Sequence, residues 1–249
     1  MKKKIFLIAI CIVALLIGTL LVGAAAAKAS EVKVLVLLYH EINDNPQTAF
    51  ELSTIDFQDQ MNYLRDNGYI PLSMVDFENL MARKNSKMDR TKKYVLITFD
   101  DGCKSVNDNA LPILTKLNFP ATLFIVSGVL DTTGYMTTEQ VKQASTKFDI
   151  GNHTMNHNWL PGLSYDEQYE SFVTANGILE NIIGRPVNTI AYPYGDYNAD
   201  TVIAAKETGL NRGFLCNDGK ASSIGNPMLT NRQIIWRGIT IREFKILLN

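Results

Sequence analysis

Two adjacent carboxylates, Asp100 and Asp101, follow a run of β-branched and aromatic residues and precede Gly102. The run predicts a buried strand over residues 94–99. Neighbouring carboxylates repel each other, so the pair costs stability unless a cation or a proton separates their roles. Carboxylates at the carboxyl end of a strand are typical of a metal-assisted site at the edge of a sheet or barrel. The structural alternative is a strand that ends in a plain Asp-Gly turn.

The histidines favour the catalytic interpretation, because all three of them follow a predicted strand. His40 follows the apolar run 32–39, and His153 and His157 follow a short strand over 148–152. The H-x-x-x-H spacing puts both imidazoles on one face of a helical turn or helical loop, where they can bind one metal ion. Two imidazoles and one carboxylate leave positions open for water and substrate, which is the catalytic pattern. Since neighbouring Asp residues point in different directions, one can bind the metal while the other faces the substrate as a base.

Strand and helix patterns alternate from residue 32 to the end of the chain and position these side chains. About seven strand–helix units in about 220 residues predict an α/β fold with a largely parallel sheet, as in a barrel or an incomplete barrel. An open doubly wound sheet is the alternative. Pro112 lies inside the predicted helix 106–117, so we expect that helix to bend or divide. The predicted strands are 32–39, 69–72, 94–99, 120–126, 148–152, 187–192, 213–216 and 233–237.

The composition argues against several classes of function. With 24 basic and 25 acidic residues, the chain has no electrostatic signature of nucleic-acid binding. It contains no G-x-G-x-x-G or Walker motif that would predict a nucleotide site. The hydrophobic content of 46% is ample for the core of one domain of barrel size or of two small ones.

The N-terminus predicts a targeting segment over residues 1–30, separate from a domain over residues 31–249. Lys2–Lys4 form a positive end, an apolar run follows to residue 22, and Ala27-Lys28-Ala29 matches a cleavage pattern. The segment is predicted to be a cleaved signal peptide or an uncleaved membrane anchor. In either case we expect the domain to be secreted or held on the outer face of the cytoplasmic membrane, with membrane contact only through this segment.

Export would leave Cys103 and Cys216 as the cysteines of the domain. An oxidising compartment permits a disulfide between them. The spacing in sequence does not determine whether their Cα atoms come close enough, so a disulfide and two buried thiols are both open.

Three motifs occur in order along most of the domain. The first is Thr98-Phe99-Asp100-Asp101-Gly102, the second is His153-Thr154-x-x-His157, and the third is Ala191-Tyr192-Pro193-Tyr194-Gly195. Together they resemble the polysaccharide deacetylases (carbohydrate esterase family 4, the NodB homology domain). The resemblance implies a distorted (β/α) barrel and metal-dependent removal of acetyl groups from N-acetylated sugars.

The resemblance also implies roles for individual residues. Asp100 resembles the general base, and the backbone N–H of Tyr194 resembles the oxyanion donor. The ligands of a divalent metal would be Asp101, His153 and His157. These ligands suit zinc, and cobalt, nickel or iron would fit them too. The chemistry agrees, because an amide is a poor electrophile that needs a polarised carbonyl, an activated water and an acid for the departing amine.

The acid is where the sequence departs from the usual family pattern, since no histidine follows His157 near the C-terminus. Tyr39-His40 is similar to the subgroup that acts on poly-β-1,6-N-acetylglucosamine, in which the first strand supplies the acid. We therefore predict that His40 is the general acid, with a hydrogen-bonding helper as its alternative role. Ala191 stands where many members carry an arginine, and we predict that Arg237 orients Asp100 instead. Its alternative role is a surface cation.

The predicted function is an exported metal-dependent hydrolase that removes N-acetyl groups from an N-acetylglucosamine polymer, with poly-β-1,6-N-acetylglucosamine favoured. Peptidoglycan and chitin oligomers are alternative substrates, and a non-catalytic carbohydrate-binding protein of the same fold is the alternative class. Trp159, Tyr192 and Trp236 are predicted to line a sugar groove or to belong to the core. The sequence leaves the oligomeric state open.

Overall fold

The structure is a computed structural model that describes residues 31–82, 88–89 and 91–248. The predicted targeting segment, residues 1–30, lies outside the described residues. In the described part, no helix has both the length and the apolar character that a membrane span requires. The residues from Lys33 onward form one compact unit.

A curled, mostly parallel sheet forms the centre of this unit. The strands are β1 (Lys33–Tyr39), β2 (Glu41–Asn43), β3 (Glu51–Ser53), β4 (Tyr69–Pro71), β5 (Lys93–Phe99), β6 (Thr122–Ile125), β7 (Asp149–Asn152), β8 (Thr189–Ala191), β9 (Arg212–Phe214), β10 (Ala221–Ser222) and β11 (Gln233–Ile234). The main sheet follows the order β10-β1-β5-β6-β7-β8-β9, while β11 pairs with β1 and β4 pairs with β5. Among the strands of the described residues, only β10 pairs in antiparallel fashion in this sheet. The predicted α/β fold, a distorted barrel of about seven strands, is confirmed as a curled half-barrel.

Helices connect the strands and cover the outside of the sheet. Within the described residues they are α1 (Thr54–Asp66), α2 (Met74–Met81), α3 (Leu111–Leu117), α4 (Thr138–Ala144), α5 (Tyr165–Ile183), α6 (Ala199–Glu207) and α7 (Ile241–Leu247). The predicted division at Pro112 is confirmed, because a π-helical turn over Val106–Ala110 precedes α3. Pro112 then lies in the first turn of α3, where its missing N–H costs no helical hydrogen bond.

The strand register brings the predicted site residues to one edge of the sheet. Tyr39 and Phe99 are partners in the parallel pair of β1 and β5, so His40 and Asp100 leave neighbouring strands at the same level. The backbone N–H of Asp100 donates to the Tyr39 carbonyl at 3.0 Å. His153 follows β7 directly, and its N–H donates to the carbonyl of Ile125 at the end of β6 at 3.0 Å.

The alternation of side chains along β5 decides which residues face the interior of the half-barrel. Val95, Ile97 and Phe99 pack in the apolar core between the sheet and the helices. Because side chains alternate along a strand, Thr98 and Asp100 face the opposite side. Both are buried there, and the polar contacts they make form the base of the site.

Candidate active site

Asp100 forms a buried, two-pronged ion pair with Arg232. Nη1 and Nη2 of Arg232 donate to Oδ1 and Oδ2 of Asp100 at 2.7 and 2.6 Å, and both side chains are almost completely buried. Nε of Arg232 donates to the carbonyl of Leu215 at 2.8 Å. The guanidinium lies over the rings of Phe124 and Phe214. Paired charges with their remaining hydrogen bonds filled are the form in which a buried ion pair is tolerated.

The ion pair determines the protonation state of Asp100. Burial by itself would raise the pKa of this carboxyl. The Arg232 charge and the neighbouring imidazole of His153 outweigh burial, so the pKa of Asp100 lies below its ordinary value. Asp100 is therefore an ionised carboxylate held in one orientation, which is the state that a proton acceptor needs.

The prediction that Arg237 orients Asp100 is wrong, because the arginine that contacts the Asp100 carboxylate is Arg232. Strand β11 ends at Ile234, so Arg237 lies beyond it on the exposed surface. Nη1 of Arg237 donates to the carbonyl of Gln47 at 2.6 Å instead. Arg232 lies just before β11, in the seam between β9 and β1, and reaches Asp100 from there.

Asp101 points away from Asp100 because the backbone turns sharply at this place. Asp101 and Gly102 both have left-handed backbone angles, with φ of 72° and 79°. The added Cβ of any larger residue at Gly102 would lie 3.1 Å from the side chain of Ile125, so glycine suits the tight turn. The Asp101 side chain remains 29% exposed, and it faces the two histidines of the second motif.

His153 is fixed by a hydrogen bond on the far side of its ring. Nδ1 lies 2.8 Å from the carbonyl of Ala191, an acceptor that assigns the ring proton to Nδ1. Nε2 is left facing Asp101 Oδ1 at 3.4 Å and Asp100 Oδ2 at 3.8 Å. Burial lowers the pKa of His153, but Asp100 and Asp101 outweigh burial and raise it, so a metal ion would compete with a proton for this nitrogen.

His157 completes the set from a non-helical loop, so the predicted helical turn or helical loop over the H-x-x-x-H spacing is wrong, although both imidazoles do converge on Asp101. Thr154 and His157 have left-handed backbone angles, with φ of 67° and 55°. The loop is held by hydrogen bonds, in which the Thr154 N–H donates to Asn152 Oδ1 at 2.6 Å and the His157 N–H donates to Thr154 Oγ1 at 3.0 Å. Nε2 of His157 lies 3.5 Å from Oδ1 of Asp101.

Asp101, His153 and His157 fit a divalent metal ion. One ligand atom from each lies within 4.8 Å of the others, and no second group of this kind is found among the described residues. Burial raises the pKa of Asp101, but the nearby imidazoles outweigh it and lower the pKa to about 2, so the carboxylate is ionised. Two imidazole nitrogens and a carboxylate oxygen are the donor set of many catalytic zinc sites.

His40 lies beside these groups at the end of β1. The pKa of His40 lies below its ordinary value, because the effect of burial exceeds the opposite effect of the charges of Asp100 and Asp101. Its ring packs against the ring of Phe50, with the centroids 4.9 Å apart. The structure thus brings His40 to the same edge as Asp100, and its role as the general acid stays a prediction.

Tyr194 lies in a short turn, Pro193–Gly195, after β8. Its backbone has a left-handed conformation with φ of 62°, and its ring packs against His157 with the centroids 4.7 Å apart. The ring is 61% exposed at the opening of the site. The role of its N–H as an oxyanion donor stays a prediction.

The remaining predicted residues have mixed outcomes. Tyr192 is buried in the core cluster beside α5 and α6, whereas Trp159 and Trp236 are exposed. Cys103 and Cys216 are free thiols in the structure, so the disulfide is not formed. The sequence analysis did not identify Arg232. The available signal was its position directly before the predicted strand 233–237, which Arg237 ends, so that an arginine lies at each end of that strand.

Comparison with known proteins gives one consistent result. The sequence model of the polysaccharide deacetylase family matches residues 87–213. The chain is 32% identical over 191 residues to YxkH of Bacillus subtilis (strain 168), which is named for the same family, covering 76% of this chain and 67% of that protein. It is 26% identical over 201 residues to a poly-β-1,6-N-acetyl-D-glucosamine N-deacetylase of Staphylococcus aureus (strain MRSA252), covering 75% and 68%. The deacetylase PplD of Streptococcus pyogenes, solved with acetate, superposes with a TM-score of 0.81 at 25% identity, covering 88% and 99%.

Proposed function

Since the chain belongs to the polysaccharide deacetylase family, we propose that it is an exported, metal-dependent N-deacetylase of poly-β-1,6-N-acetylglucosamine. The observation that carries the proposal is the position of His40, which leaves β1 at the level at which Asp100 leaves β5. A base and an acid at the ends of neighbouring strands suit hydrolysis of an amide. The potential metal ligands Asp101, His153 and His157 lie beside them. The similarity to the staphylococcal enzyme supports the choice of polymer.

The residues divide the work of amide hydrolysis among them. A divalent metal held by Asp101, His153 and His157 would polarise the acetamide carbonyl and lower the pKa of a bound water. Asp100 accepts a proton from the attacking water, and Arg232 keeps Asp100 ionised and oriented.

The remaining groups act on the oxyanion and the leaving amine. The N–H of Tyr194 donates to the oxyanion that forms as the water oxygen bonds to the carbonyl carbon. His40 then gives a proton to the sugar nitrogen as the C–N bond breaks. Water and amide are thereby converted to acetic acid, which ionises to acetate in solution, and a free amine, with one proton taken up by Asp100 and one released by His40.

Measurement of acetate release tests the proposal. Metal-reconstituted protein is incubated with poly-β-1,6-N-acetylglucosamine, chitin oligomers and peptidoglycan, with and without a chelator. We expect the fastest release from poly-β-1,6-N-acetylglucosamine and its loss with chelator. Faster release from peptidoglycan or chitin would reassign the substrate. Binding of a polymer with no release by the wild-type protein would instead support the non-catalytic alternative.

Export is the part of the proposal that depends on residues 1–30. We propose that this segment directs the domain of residues 31–249 out of the cytoplasm, as a signal peptide or as an anchor. Fractionation of cells that express the full chain, followed by N-terminal sequencing of the product, tests it. Recovery of the uncleaved chain in the cytoplasm would contradict export.

A further inference from the structure

A short segment, residues 47–50, lies against His40 and forms what we call the His40 clamp. The ring of Phe50 packs on the imidazole with the centroids 4.9 Å apart and the planes inclined by 47°. The carbonyl of Phe50 accepts a hydrogen bond from the N–H of Glu41, the residue after His40, at 3.3 Å. The Phe50 ring is 53% exposed, which is unusual for an aromatic side chain that only fills a core.

Arg237 fastens the His40 clamp from the other end of the chain, 190 positions away from Gln47. Its guanidinium donates to the carbonyl of Gln47 at 2.6 Å, and its backbone N–H donates to the carbonyl of Ala49 at 2.9 Å. The N–H of Gln47 donates to a carboxylate oxygen of Glu51 at 2.7 Å. The clamp is thus held at both of its ends and at Ala49 between them.

The imidazole of His40 needs such a contact, because hydrogen bonding does not fix it. Nδ1 of His40 is buried and has no hydrogen-bond partner in the described part of the chain. His153 differs, since its Nδ1 is bound to the carbonyl of Ala191. Histidines with catalytic or ligand roles are ordinarily oriented by a hydrogen bond at the second nitrogen. At His40 the ring contact with Phe50 is the contact that can restrict the orientation of the imidazole.

We propose that Phe50 and Arg237 are positioning residues for His40. Arg237 holds the His40 clamp, and the Phe50 ring fixes the orientation in which the imidazole delivers its proton to the leaving nitrogen. The proposal rests on the proposed function, in which His40 is the general acid. Arg237 does not reach Asp100, but in this proposal it holds the segment that contacts His40, the proton donor to the leaving nitrogen.

Two substrates separate acid delivery from the other steps. Deacetylation of the sugar amide requires a protonated leaving group, whereas an aryl acetate such as 4-nitrophenyl acetate releases a phenolate that leaves without a proton. Loss of the acid therefore lowers the amide rate and spares the ester rate. We expect Phe50→Ala and Arg237→Ala to lower kcat for the amide by about tenfold to a hundredfold, the range for a misplaced catalytic group. KM and the ester rate should change little.

Conservative variants and a matched control sharpen the test. Arg237→Lys can still donate to the Gln47 carbonyl, and we expect it to keep most of the amide rate. Arg242→Ala removes another exposed arginine, on α7, and should change neither rate. An equal fall in the amide and ester rates of Phe50→Ala, or a higher KM with unchanged kcat, would overturn the proposal in favour of a structural or sugar-binding role.

Histidine NMR separates failure of this proposal from failure of the proposed function. The chain has three histidines, so their ring resonances can be assigned with single variants. We expect the His40 resonances to shift or broaden in Arg237→Ala and to stay unchanged in Arg242→Ala. Unchanged His40 resonances in Arg237→Ala would overturn the positioning role. The absence of acetate release by the wild-type protein would instead overturn the proposed function.

Discussion

Asp100 and Asp101 are neighbours in sequence, yet they belong to two regions with opposite character. On the arginine side, Asp100 is neutralised by Arg232 in a buried, fully hydrogen-bonded pair. On the histidine side, Asp101 faces His153 and His157 at 3.4 and 3.5 Å, distances longer than a good hydrogen bond.

The two regions differ in whether the folded chain itself supplies the counter-charge for the carboxylate. The arginine side obtains its counter-charge from the chain itself, so it is complete in the folded protein. The histidine side brings together two imidazole nitrogens and a carboxylate oxygen, which is a donor set for a divalent metal. The turn at Asp101 and Gly102 separates the two environments within one residue.

Exchange of each carboxylate for an amide gives the largest expected contrast. We expect Asp100→Asn to lower turnover by about 10²–10⁴-fold, the contribution of a general base, while metal content is kept. Asp101→Asn should lower both turnover and metal content, because an amide is a poorer ligand than a carboxylate. Acetate release and metal analysis after dialysis measure the two effects. Full turnover in Asp100→Asn would contradict the assignment of the base.

Removal of the arginine tests the arginine side through stability. Arg232→Met leaves Asp100 buried without its partner, and we expect a loss of about 3–5 kcal/mol in the free energy of unfolding. The matched variant Arg242→Met, at an exposed position on α7, should change stability by less than about 0.5 kcal/mol. Urea unfolding of the metal-free proteins measures both.

The same pair gives a pH dependence with a defined sign. The pKa of Asp100 in the folded protein lies below its ordinary value of 3.8. The pair therefore contributes stability that is complete above that value and is lost as pH falls through the lower, folded pKa. The gap between wild type and Arg232→Met should shrink in that acidic range. A gap that grew on acidification would contradict the ion pair as its cause.

The fold was predictable because its signals are local. Apolar runs that alternate with amphipathic segments predicted the main strands and helices, and in the structure Ser53 and Ser73 cap α1 and α2. The strands β2, β3 and β10 were missed, since their sequences (EIN, ELS and AS) contain no apolar run or alternation that would predict a strand. β2 and β3 form by pairing with each other, and β10 forms by pairing with the distant β1.

The site was predictable where its residues belong to motifs at the ends of predicted strands. It was not predictable where a side chain reaches the site from a distant part of the sequence. Asp101, His153 and His157 follow strands whose ends meet at one edge, so their convergence follows from a parallel sheet. Arg232 reaches Asp100 across the seam between β9 and β1, a contact over 132 positions that no local pattern specifies. The left-handed residues Thr154 and His157 likewise depend on hydrogen bonds that their backbone N–H groups donate to the side-chain oxygens of Asn152 and Thr154.

Zinc binding tests the histidine side by mass action. Zinc at about 100 times its dissociation constant should stabilise the wild-type protein by about 2.7 kcal/mol. For a chain of this size that corresponds to a rise in melting temperature of about 5–10 °C. His157→Gln, at a partly exposed position, should abolish the rise, whereas Arg242→Met should keep it. An equal rise in His157→Gln would place the metal elsewhere.

Replacement of Cys216 has the smallest expected effect. It tests whether the Cys216 thiol helps Arg232 to orient Asp100. Its Sγ lies 3.8 Å from Nη2 of Arg232, and sulfur is a weak acceptor. Asp100 already occupies the strong acceptor positions of that guanidinium, so Cys216→Ala should cost about 1 kcal/mol or less in stability. Turnover should change by less than about fivefold, and the zinc-induced rise in melting temperature should be unchanged. A loss of turnover as large as that of Asp100→Asn, with stability intact, would mean that the thiol and not the arginine alone holds Asp100 in its working orientation.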